Sequence, residues 1–170
     1  TINNPDLSDV YRLEMDPQRQ GWYRFDGEWL QLEERKFKTK VKVAGLRLPV
    51  SRKLYRSKYG LTLKGKDGHY YSIRFPANQT IKAAEQWYWM NKATNFAAFQ
   101  SALAMQGVGA TNIVYADRDD NIYYLGNGNF PYRDPAFDWA HVLIGNTSAN
   151  LWEPHYYPVD SLAQVLNPPS

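Results

Sequence analysis

Asp6 and Asp9 put two carboxylates three residues apart in Asp6-Leu7-Ser8-Asp9, just ahead of an alternating apolar and polar run from Val10 to Met15. Ca²⁺ takes several oxygen ligands at flexible geometry, so such a pair could help hold it. Acids that merely form a turn before a strand look the same, and spacing alone favours that plainer reading. His69 lies beside the Asp67-Gly68 turn and reads as a solvated side chain. His141 and His155 stand isolated among Trp, Tyr and Pro without metal spacing, and read as structural. None of the three has a partner in view that would make it a general base. The chain has no cysteine, which removes disulfides, thiolate nucleophiles and thiolate metal sites.

Two further patterns bear on binding. Trp22 and Trp29 flank Asp26-Gly27, and an aromatic hairpin of this kind can stack a sugar or a base. Cross-strand packing is its commoner use. Ten basic residues and no acid lie between Arg35 and Lys58, which is the footprint a nucleic-acid reading would cite. In Lys36-Phe37-Lys38-Thr39-Lys40-Val41-Lys42-Val43, however, the charges alternate with apolar or β-branched residues, the period of a strand with one wet face. Lysines on that face also discourage edge pairing.

The elements that would position these residues follow from composition and period. The 170 residues are 44% hydrophobic and 15% aromatic, enough for a sizeable core in one domain or one large piece of one. The net charge of +3 is unevenly spread: residues 1–75 hold 16 Lys and Arg against 9 Asp and Glu, and residues 76–170 hold 4 against 8. No apolar run is long enough to span a bilayer, and the first residues lack the basic start and apolar middle of a secretory signal. Asp26-Gly27 predicts a two-residue hairpin, and strands are expected at 46–50, 52–56, 61–64 and 70–75. Pro76 ends that series. A helix is expected over 79–91 with Ile81, Ala84, Trp87 and Tyr88 as its apolar face, and a second after an N-cap at Thr94 or Asn95, with Phe96, Phe99, Leu103 and Met105 inward and a stop at Gly107. Asn112–Ala116 and Ile122–Gly126 flank the polar turn Arg118-Asp119-Asp120-Asn121 and read as the central hairpin, apolar on both faces and covered on both. From Asn127 on, six prolines and no periodicity predict a loop-rich tail that needs a scaffold.

The run Asn112 to Tyr124, then Gly128-Asn129-Phe130-Pro131-Tyr132-Arg133 and the closing Leu166-Asn167-Pro168-Pro169-Ser170, resembles the β chain of the penicillin acylase family. These are amidohydrolases with an N-terminal nucleophile, and they include the acyl-homoserine lactone acylases. The resemblance runs through the whole chain in order and makes it an internal piece of that β chain. It implies an α+β fold: part of an αββα sandwich with a strand-rich excursion at 16–75, helices and the central hairpin at 76–126, and the tail at 127–170. It implies hydrolysis of the amide of an acylated small molecule, such as a penicillin or an N-acyl-homoserine lactone. The family's nucleophile is a serine at the start of the β chain, with its own α-amino group as base. Thr1 does not fill that role, because its neighbours match a later segment; the nucleophile is expected upstream and the oxyanion asparagine downstream, leaving this piece inactive by itself.

The resemblance also implies residue roles. Ile2 falls where a backbone N–H enters the oxyanion hole, a fixed donor to charge that develops in the transition state. Trp87 and Thr111 fall near positions lining the acyl pocket. Asp6 and Asp9 match two carboxylate ligands of a structural calcium ion, while Ser8 and Trp139 match positions that give it backbone carbonyls, Trp139 standing where the family has proline. No cofactor is required for the chemistry. The implied partners are the rest of the β chain and the α chain, with no nucleic acid and no membrane span, in a periplasmic or secreted enzyme. A rival reading is a non-catalytic β-rich module that binds polysaccharide or nucleic acid through Trp22, Trp29 and the basic run.

Overall fold

Strand pairing in the computed structural model, which describes residues 6–43 and 45–169, sorts the chain into two units. One contains Asp9–Arg74 and Asp134–Leu151. The other contains residues 6–8, Phe75–Arg133 and residues 152–169.

The first unit is built on a six-stranded sheet in the order β10-β1-β7-β6-β5-β4. Its strands are β1 (Asp9–Leu13), β4 (Glu33–Val43), β5 (Leu46–Ser57), β6 (Gly60–Lys64), β7 (Tyr70–Arg74) and β10 (Leu143–Gly145), and all pair antiparallel except β1 with β10. Alternation in β1 turns Asp9, Tyr11 and Leu13 inward. Tyr11 and Leu13 join Tyr23, Leu32, Tyr59 and Tyr70 in one core. Buried hydroxyls satisfy one another across the sheet: Ser72 Oγ lies 2.8 Å from Ser57 Oγ and 2.7 Å from Thr62 Oγ1. Gly60 has φ +136°, and a Cβ there would sit 2.6 Å from the Ile73 carbonyl oxygen, so the position needs glycine. The expected hairpin at Asp26-Gly27 forms between β2 (Trp22–Phe25) and β3 (Glu28–Gln31), with both turn residues at positive φ as a type I′ turn requires.

Two expectations change in this unit. The stretches 46–50 and 52–56 form one strand, β5, that runs through Pro49. Residues Leu46–Leu54 pair with β4 and not with β6, so a proline lacking its N–H is tolerated along the open edge. Lys36–Val43 was expected to have one wet face, yet every residue of β4 is exposed on both. Among the described residues no third strand accompanies β4 and β5 along Leu46–Leu54, and there they form a two-stranded ribbon.

The second unit lays two helices, α1 (Ala83–Lys92) and α2 (Phe96–Leu103), beside a three-stranded antiparallel sheet, β11-β9-β8. Its strands are β8 (Thr111–Ala116), β9 (Ile122–Asn127) and β11 (Gln164–Leu166). Asn95 caps α2 by accepting from the Ala98 amide at 2.9 Å. Phe99 and Leu103 of α2 pack on Ile113, Tyr123 and Leu125. The chain is therefore mixed α and β, as expected. In the hairpin turn Asp117 Oδ1 accepts from the amides of Asp119 and Asn121.

The central hairpin is covered on one face, not two. Val114 is 73% exposed, and Ile122 and Tyr124 lie on the open side with it. The helix expected over 79–91 begins only at Ala83, so Ile81 precedes it, and the apolar face expected of it is open as well: Ile81, Trp87 and Tyr88 are exposed, and the buried residue of the helix is Gln86. The segment from 127 on is mostly loop, but it supplies an edge strand to each sheet, β10 to one and β11 to the other.

Candidate functional site

A cleft of about 410 Å³ opens in the second unit between α1 and β8. Helical spacing puts Trp87, Met90 and Asn91 on one side of α1, three and four residues apart. Phe99 enters from α2, and Thr111, Asn112, Ile113 and Val114 come from β8. Trp87 and Thr111, both named from the resemblance, line this cleft. Its size is that of a small-ligand site, with apolar walls and a few polar groups. Asn91 Nδ2 is held by the Trp87 carbonyl at 2.7 Å, and Asn112 Oδ1 accepts from the Tyr124 hydroxyl at 3.1 Å. No carboxylate, imidazole or ammonium group is among the lining residues. The cleft can bind an apolar group, and its lining holds no titratable acid or base.

Three buried amides fix the segment that leads into β8. Gln86 Oε1 accepts from the Gly107 and Val108 amides at 2.6 and 2.7 Å, tying α1 to that segment. Gly107 approaches the start of α1 so closely that a Cβ would lie 2.5 Å from the Lys82 carbonyl carbon. Asn127 Nδ2 donates to the Val108 and Gly109 carbonyls at 3.0 and 2.7 Å, and Asn129 Nδ2 to the Gln106 carbonyl at 2.7 Å. The sequence gives no sign of the Gln86 role, since a helical glutamine looks like a surface residue. Asn127 and Asn129 stand at the hairpin's end and in the family-like Gly128–Arg133 stretch, so that stretch was a signal without a mechanism.

The other expected site residues fall elsewhere. Ile2 lies outside the described residues. Asp6 and Ser8 belong to the second unit, and Asp9 and Trp139 to the first. Asp9 is buried, whereas Asp6 is exposed and its carboxylate pairs with the Arg133 guanidinium at 3.2 Å. Among the described residues no three His, Cys, Asp or Glu side chains gather as a metal cluster. Two carboxylates, one already facing a cation, do not by themselves supply the six to eight oxygens calcium takes. Trp139 is half-buried and its indole N–H donates to the Asp134 carbonyl at 2.6 Å.

His141 Nδ1 lies 2.8 Å from the Asp138 carboxylate on an exposed turn, and that hydrogen bond holds the Asp138 carboxyl below its ordinary range. Burial pushes the Tyr59 hydroxyl well above the usual phenol range; it donates to the Thr147 carbonyl at 2.6 Å, a structural task. The Trp22 and Trp29 rings already carry cations: the Arg19 guanidinium lies 4.6 Å from one centroid and 5.8 Å from the other, and Arg24 lies 5.9 Å from Trp29. Rings so occupied are poor stacking platforms, which weakens the sugar- or base-binding alternative.

The penicillin amidase family model matches residues 1–170. An acyl-homoserine lactone acylase PvdQ of Pseudomonas fluorescens strain Pf0-1 is 27% identical over 98% of this chain and 25% of its own length. The PvdQ acylase of Pseudomonas putida KT2440 is 27% identical over 90% of this chain and 22% of its own. The fold is similar to that of a thermostable penicillin G acylase from Alcaligenes faecalis, with a TM-score of 0.80 over 99% of this chain, 30% of that one, and 23% identity. The chain spans about a quarter of the length of the curated relatives it matches.

Proposed function

The chain belongs to the penicillin amidase family, and on that premise we propose that it is part of an amidohydrolase that cleaves the linear amide of an acylated small molecule, an N-acyl-homoserine lactone or a penicillin. The observation that carries this reading is the family match along the entire chain. The α1–β8 cleft supports it, because an apolar recess without titratable groups suits an acyl chain.

In this reading Trp87, Phe99 and Ile113 hold the acyl group by apolar contact, and Thr111 and Asn112 bound its polar end. A serine hydroxyl from outside these residues attacks the amide carbon, its proton passing to the serine's own α-amino group. The Ile2 amide donates to the oxygen as negative charge develops on it. The C–N bond then breaks, the amine leaves with a proton, and water hydrolyses the acyl ester to the acid. Asp6, Asp9 and the carbonyls of Ser8 and Trp139 contribute to a calcium site in the whole enzyme, where the ion would be structural. The rest of the β chain and the α chain complete the enzyme, which works in the periplasm or outside the cell. Among the described residues no helix is long and apolar enough to cross a membrane.

The test is acyl selectivity in the whole protein. Trp87→Ala should raise KM for a long-chain N-acyl-homoserine lactone with a smaller change in kcat, since it removes binding shared by ground and transition states. Unchanged KM for every acyl group tried, in Trp87→Ala and Thr111→Val alike, would remove this cleft from the substrate path.

A further inference from the structure

The β4–β5 ribbon sorts its side chains by chemistry. Pairs Phe37–Arg52, Thr39–Val50, Val41–Leu48, Val43–Leu46 and Arg35–Leu54 point to one side. Pairs Lys36–Lys53, Lys38–Ser51, Lys40–Pro49 and Lys42–Arg47 point to the other. One face is thus a strip of aliphatic and aromatic residues with two arginines, and the other is a row of cations. Both are open to solvent: Phe37 is 57% exposed, Leu46 67% and Leu48 47%. A lone two-stranded ribbon is at best marginally stable in water, so one whose apolar side chains align in register needs a cover on that side.

We propose that the apolar face of this ribbon docks another segment of the same acylase polypeptide, one presenting apolar side chains with carboxylates opposite Arg35 and Arg52. The inference rests on family membership and deepens the reading above by naming a surface through which this piece joins the rest of the enzyme; it does not depend on the acyl cleft. This chain spans about a quarter of the length of the acylases it matches, so most of such a protein lies beyond these residues and can supply the cover. A second copy fits less well. Stacking two identical faces would bring Arg35 and Arg52 of each into one interface, where Glu33, at the end of the strip beside Arg56, is the one carboxylate that this side of β4 and β5 offers. A lipid surface also fits less well, because seating the apolar strip would turn Lys36, Lys38, Lys40, Lys42, Arg47 and Lys53 away from the headgroups.

The experiment uses the whole protein that contains this chain. Leu48→Cys reports the apolar face and Lys40→Cys the basic face of the same ribbon, each labelled with a maleimide and corrected for the protein without the added thiol. Labelling of Leu48→Cys is expected to be at least about tenfold slower than that of Lys40→Cys in the native protein, and equal after denaturation, because a docked thiol reacts through local opening. A photo-crosslinker at position 48 should join peptides of the same enzyme molecule. Equal native labelling at the two positions would overturn the proposal. So would crosslinks to the ribbon of a second copy, or protection that appears only with phosphatidylglycerol vesicles. Amide hydrolysis is measured on the same preparations. A protected Leu48→Cys thiol in a protein that hydrolyses no amide sinks the functional reading and leaves the docking surface standing. An active enzyme with a freely labelled thiol does the reverse.

Discussion

Replacing Gln86 by methionine tests how the cleft wall is held. The substitution keeps the side chain's length and removes the oxygen that accepts from Gly107 and Val108 at 2.6 and 2.7 Å. Gln86, Gly107 and Val108 are all buried, so water does not replace the lost acceptor. Each orphaned buried N–H costs about 1–3 kcal/mol, which makes about 2–6 kcal/mol for the pair. At about 1.4 kcal/mol per tenfold, even the lower figure makes opening of this segment about thirtyfold more frequent. Hydrogen exchange read by mass spectrometry on a peptide spanning 104–110 of the whole protein should show that acceleration. Gln86→Glu, which keeps an acceptor oxygen, should retain most of the protection. Wild-type exchange across 104–110 in Gln86→Met would refute the claim that this one side chain anchors the entry to β8.

Other outcomes are expected from the same geometry. Tyr115→Ala removes a half-buried ring 4.5 Å from Phe99 and 5.4 Å from Phe96, and should cost up to about 3 kcal/mol in stability by denaturant unfolding, the lower end of aromatic truncations in full cores. The side-chain hydrogen bond from Asn121 is the main cause holding the Asp117 carboxyl below its ordinary 3.8, with the Tyr115 hydroxyl and the Asn121 and Asp119 amides adding to it. A depressed folded-state pKa gives stability that is present above the unfolded pKa and is lost as pH falls through the folded one. Melting temperatures from pH 6 down to 3 should therefore fall less in Asp117→Asn than in the wild type. Asp9→Ala in the whole protein should abolish any rise in melting temperature on adding calcium, since a ligand that binds the folded state alone stabilises it by mass action; an unchanged rise would remove Asp9 from the calcium site.

Turns were the most legible part of the sequence, because Asp, Asn and Gly act through their own backbone: Asp26-Gly27, the Asn95 cap and the Asp117–Asn121 turn all form where their residue types require. The cleft was half legible. Trp87 and Thr111 came from resemblance, whereas Asn91 and Asn112 lie beside them through helix and ladder geometry that no pattern announces. Faces were the least legible. Val114, Tyr124, Ile81 and Trp87 carry the residue types of a covered surface, yet they are open in these 170 residues, and Phe37 and Leu48 repeat that on the ribbon. Periodicity reports which side of an element is apolar and not which polypeptide covers it. The expected strands 46–50 and 52–56 leave Ser51 between them, yet the ladder to β4 runs on through Ser51, and the harmless place of Pro49 on an open edge is likewise a matter of pairing.

The central claim is tested most directly by supplying the whole protein with a long-chain N-acyl-homoserine lactone and a phenylacetyl amide, and quantifying acid and amine together. Both are expected in equal amounts from at least one of the two substrates. No turnover is expected from the 170-residue chain alone. Failure of the whole protein to cleave either amide, or turnover by the 170-residue chain that is lost with Thr1→Ala, would contradict the central claim.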